Sequence, residues 1–379
     1  MDHVDIKLLL NGLQRAYRTE YNYLQTEYQT QHRQGRIKLN QTEDEYILEH
    51  MSQLLATQTH DFVANDKSSR VSAILPLFCA EKYDVLVKKR YPTGYQRLDE
   101  ALDGGFVPGV HYIGAISSLG KSTFALQLAD QMASRRINAV YVSLEMSRED
   151  IVAKLVSMHT FTDVGERQAK TATELTSTKL VSYTAEDWAT VHEAVGAIAE
   201  HAEYITIKDA RARGMNVDQI SKYIQDYYRA YNVAPVLIVD YLQILDPAEG
   251  MNRYTDKQVV DYNVAEFRTL AAEYDIPVII ISSFNRDSYD LSVSLKSFKE
   301  SGNIEYSSDT LIGLQLQGIG SPDFDVDKAK AAPVRKVELV ILKQRYGRSG
   351  IKIGYDFYTY YNYFEEQKVP AAQKAYHVY

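Results

Sequence analysis

The feature that most constrains the fold of this chain is an apolar segment that runs through a short polar loop into an amphipathic helix. Residues 110–123 read VHYIGAISSLGKST, and residues 124–132 continue as FALQLADQM. Gly-Lys-Ser alone occurs by chance in about one chain in five of this length. Between a strand and a helix, however, such a loop is typical of phosphate-binding folds. The stretch therefore predicts an α/β domain built on a strand–loop–helix unit.

The loop also has the residue types that a nucleoside triphosphate such as ATP, with its Mg²⁺, requires. Backbone N–H groups at the start of a helix lie where the helix dipole favours anions, and Gly120 lets the backbone approach closely. We expect Lys121 to reach the β- and γ-phosphates and the Ser122 hydroxyl to ligate Mg²⁺. The first loop position, Ala115, departs from the usual glycine. The candidate nucleotide-binding residues here are Ala115, Ile116, Ser117, Ser118, Leu119, Gly120, Lys121, Ser122 and Thr123.

Two carboxylates follow further predicted strands. Residues 236–240 read VLIVD, and a buried strand that ends in Asp is how nucleotide-binding folds hold Mg²⁺, so Asp240 is a candidate nucleotide and Mg²⁺ ligand. Residues 139–145 read AVYVSLE. If this strand lies beside the first, Glu145 projects at the same sheet edge and can orient and deprotonate the attacking water. The alternative is an exposed Glu145 that caps the helix beginning near Ser147.

Hydrophobic periodicity predicts the rest of the fold. Short β-branched runs alternate with amphipathic helical patterns, which indicates a mostly parallel sheet flanked by helices, with antiparallel strands at the C-terminal end. A good helix is predicted over Asn216–Tyr231 with Asn216 as its cap, and residues 321–333 are predicted to be an exposed loop. The predicted strands are Val110–Ile116, Ala139–Leu144, Tyr204–Ile207, Val236–Val239, Pro277–Ser282, Leu311–Gln317, Val337–Leu342 and Ile351–Phe357.

The N-terminal region has a different character. It is polar, almost free of Gly and Pro, and carries no catalytic constellation, which favours a small helical appendage or a partner-binding helix pair. Its apolar positions at helical spacing are Leu8, Leu9, Leu13, Tyr17, Tyr46, Ile47, Met51, Leu54 and Leu55. The predicted organisation is a helical region over 1–66, a linker over 67–92, a motor domain over 93–365 and a tail over 366–379.

Composition narrows the class of protein. No apolar run approaches the roughly 20 residues of a membrane span, and the N-terminus is acidic where a signal peptide is basic. One cysteine, Cys79, excludes an intramolecular disulfide and a cysteine-built zinc site. We therefore expect a cytoplasmic protein without membrane contact. The formal charge of −8 argues mildly against nucleic-acid binding, so a DNA partner has to be argued from motifs.

Seven motifs together resemble the C-terminal motor of DnaB-type replicative DNA helicases. In chain order they are TGYQRLDE from Thr93, AISSLGKST from Ala115, SLEM from Ser143, DYLQI from Asp240, SSFNR from Ser282, ESGNIEYSSD from Glu300 and KQRYGRSG from Lys343. The similarity covers about residues 92–358 and keeps its order throughout, and that family tolerates a residue other than glycine at the position of Ala115. The chain is particularly similar to compact forms from phages and mobile elements of Gram-positive bacteria.

This resemblance implies a RecA-like ATPase that forms a ring of six subunits with ATP and Mg²⁺ at each interface. Lys121, Ser122, Glu145 and Asp240 would act within one subunit. Lys343 and Arg345 would reach the neighbour's γ-phosphate, with Arg345 as an arginine finger that stabilises transition-state charge. Composition alone would make these two cations a solvated strand edge.

The resemblance also implies translocation on single-stranded DNA through loops that line a central channel. The segment 286–299 is the candidate loop, with Arg286, Lys296 and Lys299 as candidate phosphate contacts, although two aspartates lie in the same loop. Where the family usually has a Gln that senses the γ-phosphate, this chain has Ser283. The N-terminal region is shorter than the family's helical collar, so primase recruitment does not carry over.

Three functions follow as hypotheses. The leading one is an ATP-dependent DNA helicase that acts in replication of a mobile element. A RecA-like recombination or repair ATPase would form filaments and pair DNA without unwinding it. A nucleotide-binding adaptor would dock a partner, such as a helicase loader, through the N-terminal helices. The presence of Glu145, Lys343 and Arg345 counts against the adaptor, which would not need them.

Overall fold

The structure is a computed structural model of the 379-residue chain. It describes residues 14, 18–37, 41–57, 88–210, 215–251, 253–285, 289, 291–298 and 301–368. The chain divides into two compact units, Met1–Lys88 and Lys89–Tyr379. None of the helices in the described ranges combines the length and apolar character that a membrane span needs. The predicted domain boundaries remain predictions, since most of the linker lies outside the described residues.

The first unit contains a pair of helices, α1 (Arg18–Arg33) and α2 (Glu43–Thr57). They pack against each other through apolar side chains, and the Gln25 amide donates a hydrogen bond to Glu43 at 2.6 Å. The buried side chains are Tyr21, Leu24, Tyr46, Ile47, Leu48 and Met51. The helical prediction for this region is confirmed at α1 and α2. Its earlier apolar positions Leu8, Leu9, Leu13 and Tyr17 lie outside the described residues, as do the side chains of Leu54 and Leu55.

The second unit is an α/β domain whose helices flank one sheet. Its α-helices are α3 (Gln96–Ala101), α4 (Lys121–Ala133), α5 (Arg148–His159), α6 (Ala172–Leu175), α7 (Ala185–Ala199), α8 (Val217–Tyr231), α9 (Asp256–Tyr274), α10 (Ser301–Ser307) and α11 (Val326–Ala331). Its strands are β1 (Gly109–Ala115), β2 (Ala139–Ser143), β3 (Ile205–Asp209), β4 (Val236–Asp240), β5 (Pro277–Ser283), β6 (Thr310–Leu316), β7 (Val334–Gln344), β8 (Lys352–Tyr358) and β9 (Tyr363–Glu366).

The nine strands lie in the order β3-β2-β4-β5-β1-β6-β7-β8-β9. All neighbours from β3 to β6 are parallel, and β7, β8 and β9 continue the sheet in antiparallel pairs. β4 is buried along its whole length, because helices cover both faces of a parallel sheet and leave no side for polar residues. The predicted fold class and all eight predicted strands are confirmed to within a few residues.

The predicted helix is confirmed as α8, where the Asn216 side chain accepts a hydrogen bond from the backbone N–H of Gln219 at 3.0 Å. Two details differ from the sequence analysis. Helix α11 lies inside the predicted loop, because Asp325 accepts from the Lys328 N–H at 2.9 Å and caps a short turn. The last strand, β9, was not predicted, since its four residues are too few to show a period.

Candidate functional site

The phosphate loop contains two residues with positive φ. β1 ends at Ala115 and α4 begins at Lys121, and between them Ser118 has a φ of +63° and Gly120 a φ of +93°. A Cβ atom on Gly120 would lie 2.7 Å from Cε1 of Phe357 and 2.8 Å from Cζ of Phe364. Glycine is therefore required at 120 for both conformation and space.

The loop exposes small polar residues above a buried base. Ser117 and Ser118 are exposed, and the Ser118 carbonyl accepts a hydrogen bond from Nη1 of Arg335 at 2.6 Å. Among the predicted nucleotide-binding residues the buried ones are Ala115, Ile116, Leu119 and Thr123. The buried residues anchor the loop, so that the exposed backbone between β1 and α4 is held in place for an anion.

Lys121 lies at the centre of a group of acidic side chains. Its Nζ donates to the Ile116 carbonyl at 3.4 Å. Burial lowers the pKa of Lys121, while the negative charges of Asp240 and Glu145 oppose that shift. The structure thus brings the lysine, Asp240 and Glu145 within electrostatic range of one another, as expected from the sequence.

Asp240 is almost fully buried at the end of β4, beside the start of α4. Its Oδ2 accepts a hydrogen bond from the Tyr141 hydroxyl at 2.7 Å, while its Oδ1 has no hydrogen-bond partner of normal geometry among the described residues. Burial raises the pKa of Asp240, and the nearby Tyr141 and Ser122 hydroxyls oppose this. A carboxylate oxygen left free beside a serine hydroxyl is a donor set that suits Mg²⁺, a hard cation that prefers oxygen ligands.

Glu145 lies at the same edge, but its strand has a different neighbour from the one expected. β2 does not lie beside β1, because β5 and β4 stand between them; it pairs with β4, in register Ser143 to Asp240. The site still assembles, since parallel strands all end at one edge. Glu145 is exposed there, and the capping alternative is wrong: α5 is capped by Ser147, whose hydroxyl accepts from the Asp150 N–H at 2.9 Å.

Three residues that the sequence analysis passed over complete this edge. Tyr141 holds Asp240, and Tyr289 joins its hydroxyl to that of Ser117 at 3.0 Å. Gln243 connects two strand ends: its Nε2 donates to Oγ of Ser282 at 2.9 Å, and its Oε1 accepts from the Ser283 N–H at 3.3 Å. The apolar run of β2 could have placed Tyr141 in the core, but no sequence signal gives its partner.

Lys343 and Arg345 lie at the opposite edge of the sheet, which is the one where the parallel strands begin. Thr310, the first residue of β6, pairs with Gln344 on one side and with His111, near the start of β1, on the other. The phosphate loop follows the other end of β1, roughly 20 Å away for a seven-residue strand. These two cations therefore cannot reach the site around Lys121 within one chain.

Both cations have partners inside their own chain. Nζ of Lys343 donates to the carbonyls of Glu305 and Ser308, the latter at 2.7 Å. Arg345 forms an ion pair with Asp309, Nη1 to Oδ1 at 2.8 Å, and the aspartate is the more buried of the two. Burial lowers the pKa of Lys343, and the charge of Arg345 lowers it further. Each cation is thus held in a defined position, while Arg345 remains exposed at the end of its strand.

The candidate DNA loop follows β5, and its two ends are joined to each other. Phe284 and Phe298 form an antiparallel bridge with their rings edge to face, and the Asn285 N–H donates to Ser297 at 2.9 Å. Lys296 is exposed next to this closure. Arg286 and Lys299 lie outside the described residues, so their position stays a prediction.

Comparison with known proteins assigns a family to the second unit of the chain. A family model described as the DnaB-like helicase C-terminal domain matches residues 91–366. The chain belongs to this family. The matched range contains the phosphate loop, Asp240, Glu145, Lys343 and Arg345.

Curated relatives agree with the family assignment. The chain is 26% identical over 295 residues to the replicative DNA helicase DnaB of Geobacillus stearothermophilus, a match that covers 74% of this chain and 58% of the relative. It is 26% identical over 277 residues to the replicative DNA helicase DnaC of Bacillus subtilis, covering 72% and 56%. The match thus spans little more than half the length of these relatives.

Solved structures support the fold of this DnaB-like domain. One solved ATPase domain matches with a TM-score of 0.64 at 23% identity and covers 82% of this chain and 100% of that one. The structure of a DnaB-like replicative helicase, described together with its interactions with primase, matches with a TM-score of 0.61 at 22% identity. This match covers 84% of this chain and 77% of that one. At such identities the likeness concerns the fold.

Proposed function

We propose that this protein is an ATP-dependent DNA helicase that hydrolyses ATP at the interfaces of a hexameric ring and translocates on single-stranded DNA during replication. The observation that carries the proposal is the convergence of Lys121, Ser122, Asp240 and Glu145 at one open edge of the sheet. Membership of the DnaB-like family and the replicative helicases among its relatives support the choice of DNA as substrate. A cytoplasmic location is part of the same proposal.

Within one subunit, the loop binds the triphosphate, Asp240 serves Mg²⁺ and Glu145 serves the attacking water. Lys121 and the backbone N–H groups at the start of α4 hold the β- and γ-phosphates. Ser122 and Oδ1 of Asp240 would hold Mg²⁺, which supplies neutralising charge to the phosphates. Glu145 is exposed to solvent, where it can orient a water and accept its proton.

The neighbouring subunit contributes the opposite edge. Because Lys343 and Arg345 lie at the end of β1 remote from the phosphate loop, they can complete a site only across an interface. A closed ring of identical subunits presents each such edge to the next subunit's loop. Arg345 would stabilise transition-state charge there, and Lys343 would add a second cation.

A contact between the phosphate loop and the candidate DNA loop offers a physical link between hydrolysis and movement. Tyr289, the one described residue of the segment 286–290, shares a hydrogen bond with Ser117 of the phosphate loop, and the ammonium of Lys330 lies 5.6 Å from its ring centroid. A change at the phosphates can therefore shift a segment that, together with Lys296, is our candidate for phosphate contacts with DNA. Arg286 and Lys299 extend this proposal.

The helix pair α1–α2 is our candidate docking element for a helicase loader or another replication partner.

The decisive test is ATP hydrolysis with and without single-stranded DNA, comparing wild type with Glu145→Gln. We expect turnover to fall by about 10²- to 10⁴-fold, because the substitution removes the base and keeps the shape of the side chain. The matched control is Glu149→Gln, an exposed glutamate in the first turn of α5, which should hydrolyse normally.

Three outcomes would overturn the proposal. Equal turnover by wild type and Glu145→Gln would exclude hydrolysis at this site. Strand exchange without unwinding of a forked duplex would show a RecA-like recombination ATPase instead of a helicase. Nucleotide binding without turnover would show an adaptor.

A further inference from the structure

A cluster of two histidines and one aspartate lies inside the domain, away from the nucleotide site. Asp130 belongs to α4, His159 ends α5, and His201 follows α7. Oδ1 of Asp130 accepts from Nε2 of His201 at 2.8 Å, and Oδ2 lies 3.1 Å from Nε2 of His159. All three residues are buried, with 6%, 8% and 8% of their surface exposed. Burial makes this arrangement costly unless something balances its charge.

The three side chains are close enough to share one metal ion. One ligand atom from each residue lies within 4.8 Å of the others. Tetrahedral Zn²⁺ with bonds of 2.0–2.2 Å separates its ligand atoms by about 3.3 Å, so the pairs at 2.8 and 3.1 Å need only a small opening to admit the ion. Three different elements of the fold bring these atoms together, and neighbouring positions on one helix do not account for the cluster.

The surroundings of His159 strengthen the case. While its Nε2 faces Asp130, its Nδ1 is hydrogen-bonded to the carboxylate of Asp163. Histidines that bind metals in proteins commonly donate their other ring nitrogen to a carboxylate, which fixes the ring and raises its basicity. Asp163 occupies that outer position here.

Charge favours a divalent ion. Metal binding requires both imidazoles to be neutral; the buried Asp130 and the exposed Asp163 then give the group a charge of −2, and one divalent cation neutralises it. Two imidazole ligands select transition metals over Mg²⁺ or Ca²⁺, which prefer oxygen, and a ligand set of nitrogen and oxygen atoms suits Zn²⁺.

We propose that Asp130, His159 and His201 bind one divalent transition metal ion, best fitted by Zn²⁺, with Asp163 orienting His159 and water as the fourth ligand. Binding displaces the Nε2 proton between His159 and Asp130 and leaves the ring with its Nδ1 proton on the side of Asp163; because that proton competes with the metal, affinity falls as pH falls. The site would tie α4, which begins with Lys121, to α5, which begins just after Glu145. It is independent of the proposed helicase function and of the Mg²⁺ ligands.

The test uses the full chain, freed of metal with a chelator and titrated with Zn²⁺ or Co²⁺ in excess Mg²⁺, which saturates the oxygen site. We expect one equivalent to bind, with the visible absorption bands of tetrahedral Co²⁺ and a rise in melting temperature. Asp130→Asn and His201→Gln should each lose that equivalent or weaken its binding at least about 100-fold. His192→Gln, which changes an exposed histidine of α7, is the control and should bind as wild type does.

Asp163→Asn separates an orienting group from a ligand, because it should keep the stoichiometry and weaken affinity about 10- to 100-fold. The proposal is wrong if wild-type protein shows no such equivalent or no tetrahedral Co²⁺ spectrum. It is equally wrong if Asp130→Asn and His201→Gln both bind as tightly as His192→Gln. The wild-type titration decides even if one variant fails to fold, and none of these readouts depends on ATP hydrolysis.

Discussion

Both edges of the central sheet, at the carboxyl and at the amino ends of the parallel strands, carry charged residues, but the surroundings of these residues differ. At the carboxyl-end edge, Glu145 is exposed, Lys121 is half-buried with one long hydrogen bond to the Ile116 carbonyl, and a buried carboxylate oxygen of Asp240 has no hydrogen-bond partner among the described residues. At the amino-end edge, Lys343 is held by carbonyls and Arg345 by Asp309. The first edge keeps polar groups open to a ligand, whereas the second satisfies its own charges.

The difference has a physical cause. Parallel strands end in loops at the carboxyl-end edge, where backbone N–H groups and side chains can converge on a ligand. At the other edge β7 returns antiparallel to β6, so that hydrogen bonding continues up to Gln344 and the cations emerge from an ordered strand. A cation displayed in this way is fixed in direction, which suits delivery to a neighbouring molecule.

The largest expected effect tests whether the second edge serves another subunit. Arg345→Ala should lower the rate of ATP hydrolysis about 10³-fold, because an arginine finger stabilises transition-state charge by that order. Equimolar mixing of Arg345→Ala with Lys121→Ala should restore part of the activity, since one variant keeps the phosphate loop and the other keeps the finger. Steady-state phosphate release measures both effects.

The mixing result also separates two models. If the arginine acted within its own chain, the mixture would stay as inactive as its components. Normal turnover by Arg345→Ala alone would remove the finger from the mechanism and leave Arg345 as a structural partner of Asp309.

A smaller effect tests whether a buried group at the amino-end edge contributes to stability. His111 is fully buried in β1, its Nε2 lies 2.7 Å from the Val107 carbonyl, and burial lowers its pKa to about 4. The unfolded chain therefore takes up the proton first: the stability is fully present above the ordinary pKa and is lost as pH falls toward 4. A difference of this size corresponds to about 3 kcal/mol of unfolding free energy.

Denaturant unfolding between pH 7 and pH 4 measures this loss. His111→Gln should flatten the dependence on pH, whereas the exposed His192→Gln should leave it as in wild type. An unchanged slope in His111→Gln would mean that other groups govern the acid sensitivity.

The smallest expected effect concerns the coupling of the nucleotide edge to the candidate DNA loop. Gln243 bridges Ser282 and Ser283, the position where the family usually has its γ-phosphate-sensing Gln. We expect Gln243→Ala to lower the ratio of DNA-stimulated to basal hydrolysis about tenfold, the equivalent of one to two lost hydrogen bonds. Ser283→Gln in that background should recover part of the ratio, and full stimulation in Gln243→Ala would assign the bridge a packing role only.

The sequence alone was sufficient for the parts of this protein that depend on local chemistry. The strand–loop–helix around Lys121, the cap at Asn216 and the hydrophobic runs of the strands are written in residues near one another, because helix starts, turns and burial periods are short-range properties. Their positions agree with the structure to within a few residues. The roles of Lys121, Asp240 and Glu145 in catalysis stay proposals.

Only the tertiary structure decided which distant residues meet. The order β2-β4-β5-β1 places Glu145 at the site without making its strand a neighbour of β1, since a parallel sheet aligns strand ends whatever their order. The pairing of β6 with β7 sends Arg345 to the far edge, and α4, α5 and the turn after α7 bring Asp130, His159 and His201 together. No local pattern encodes these contacts, because they depend on the long-range packing of helices on a sheet.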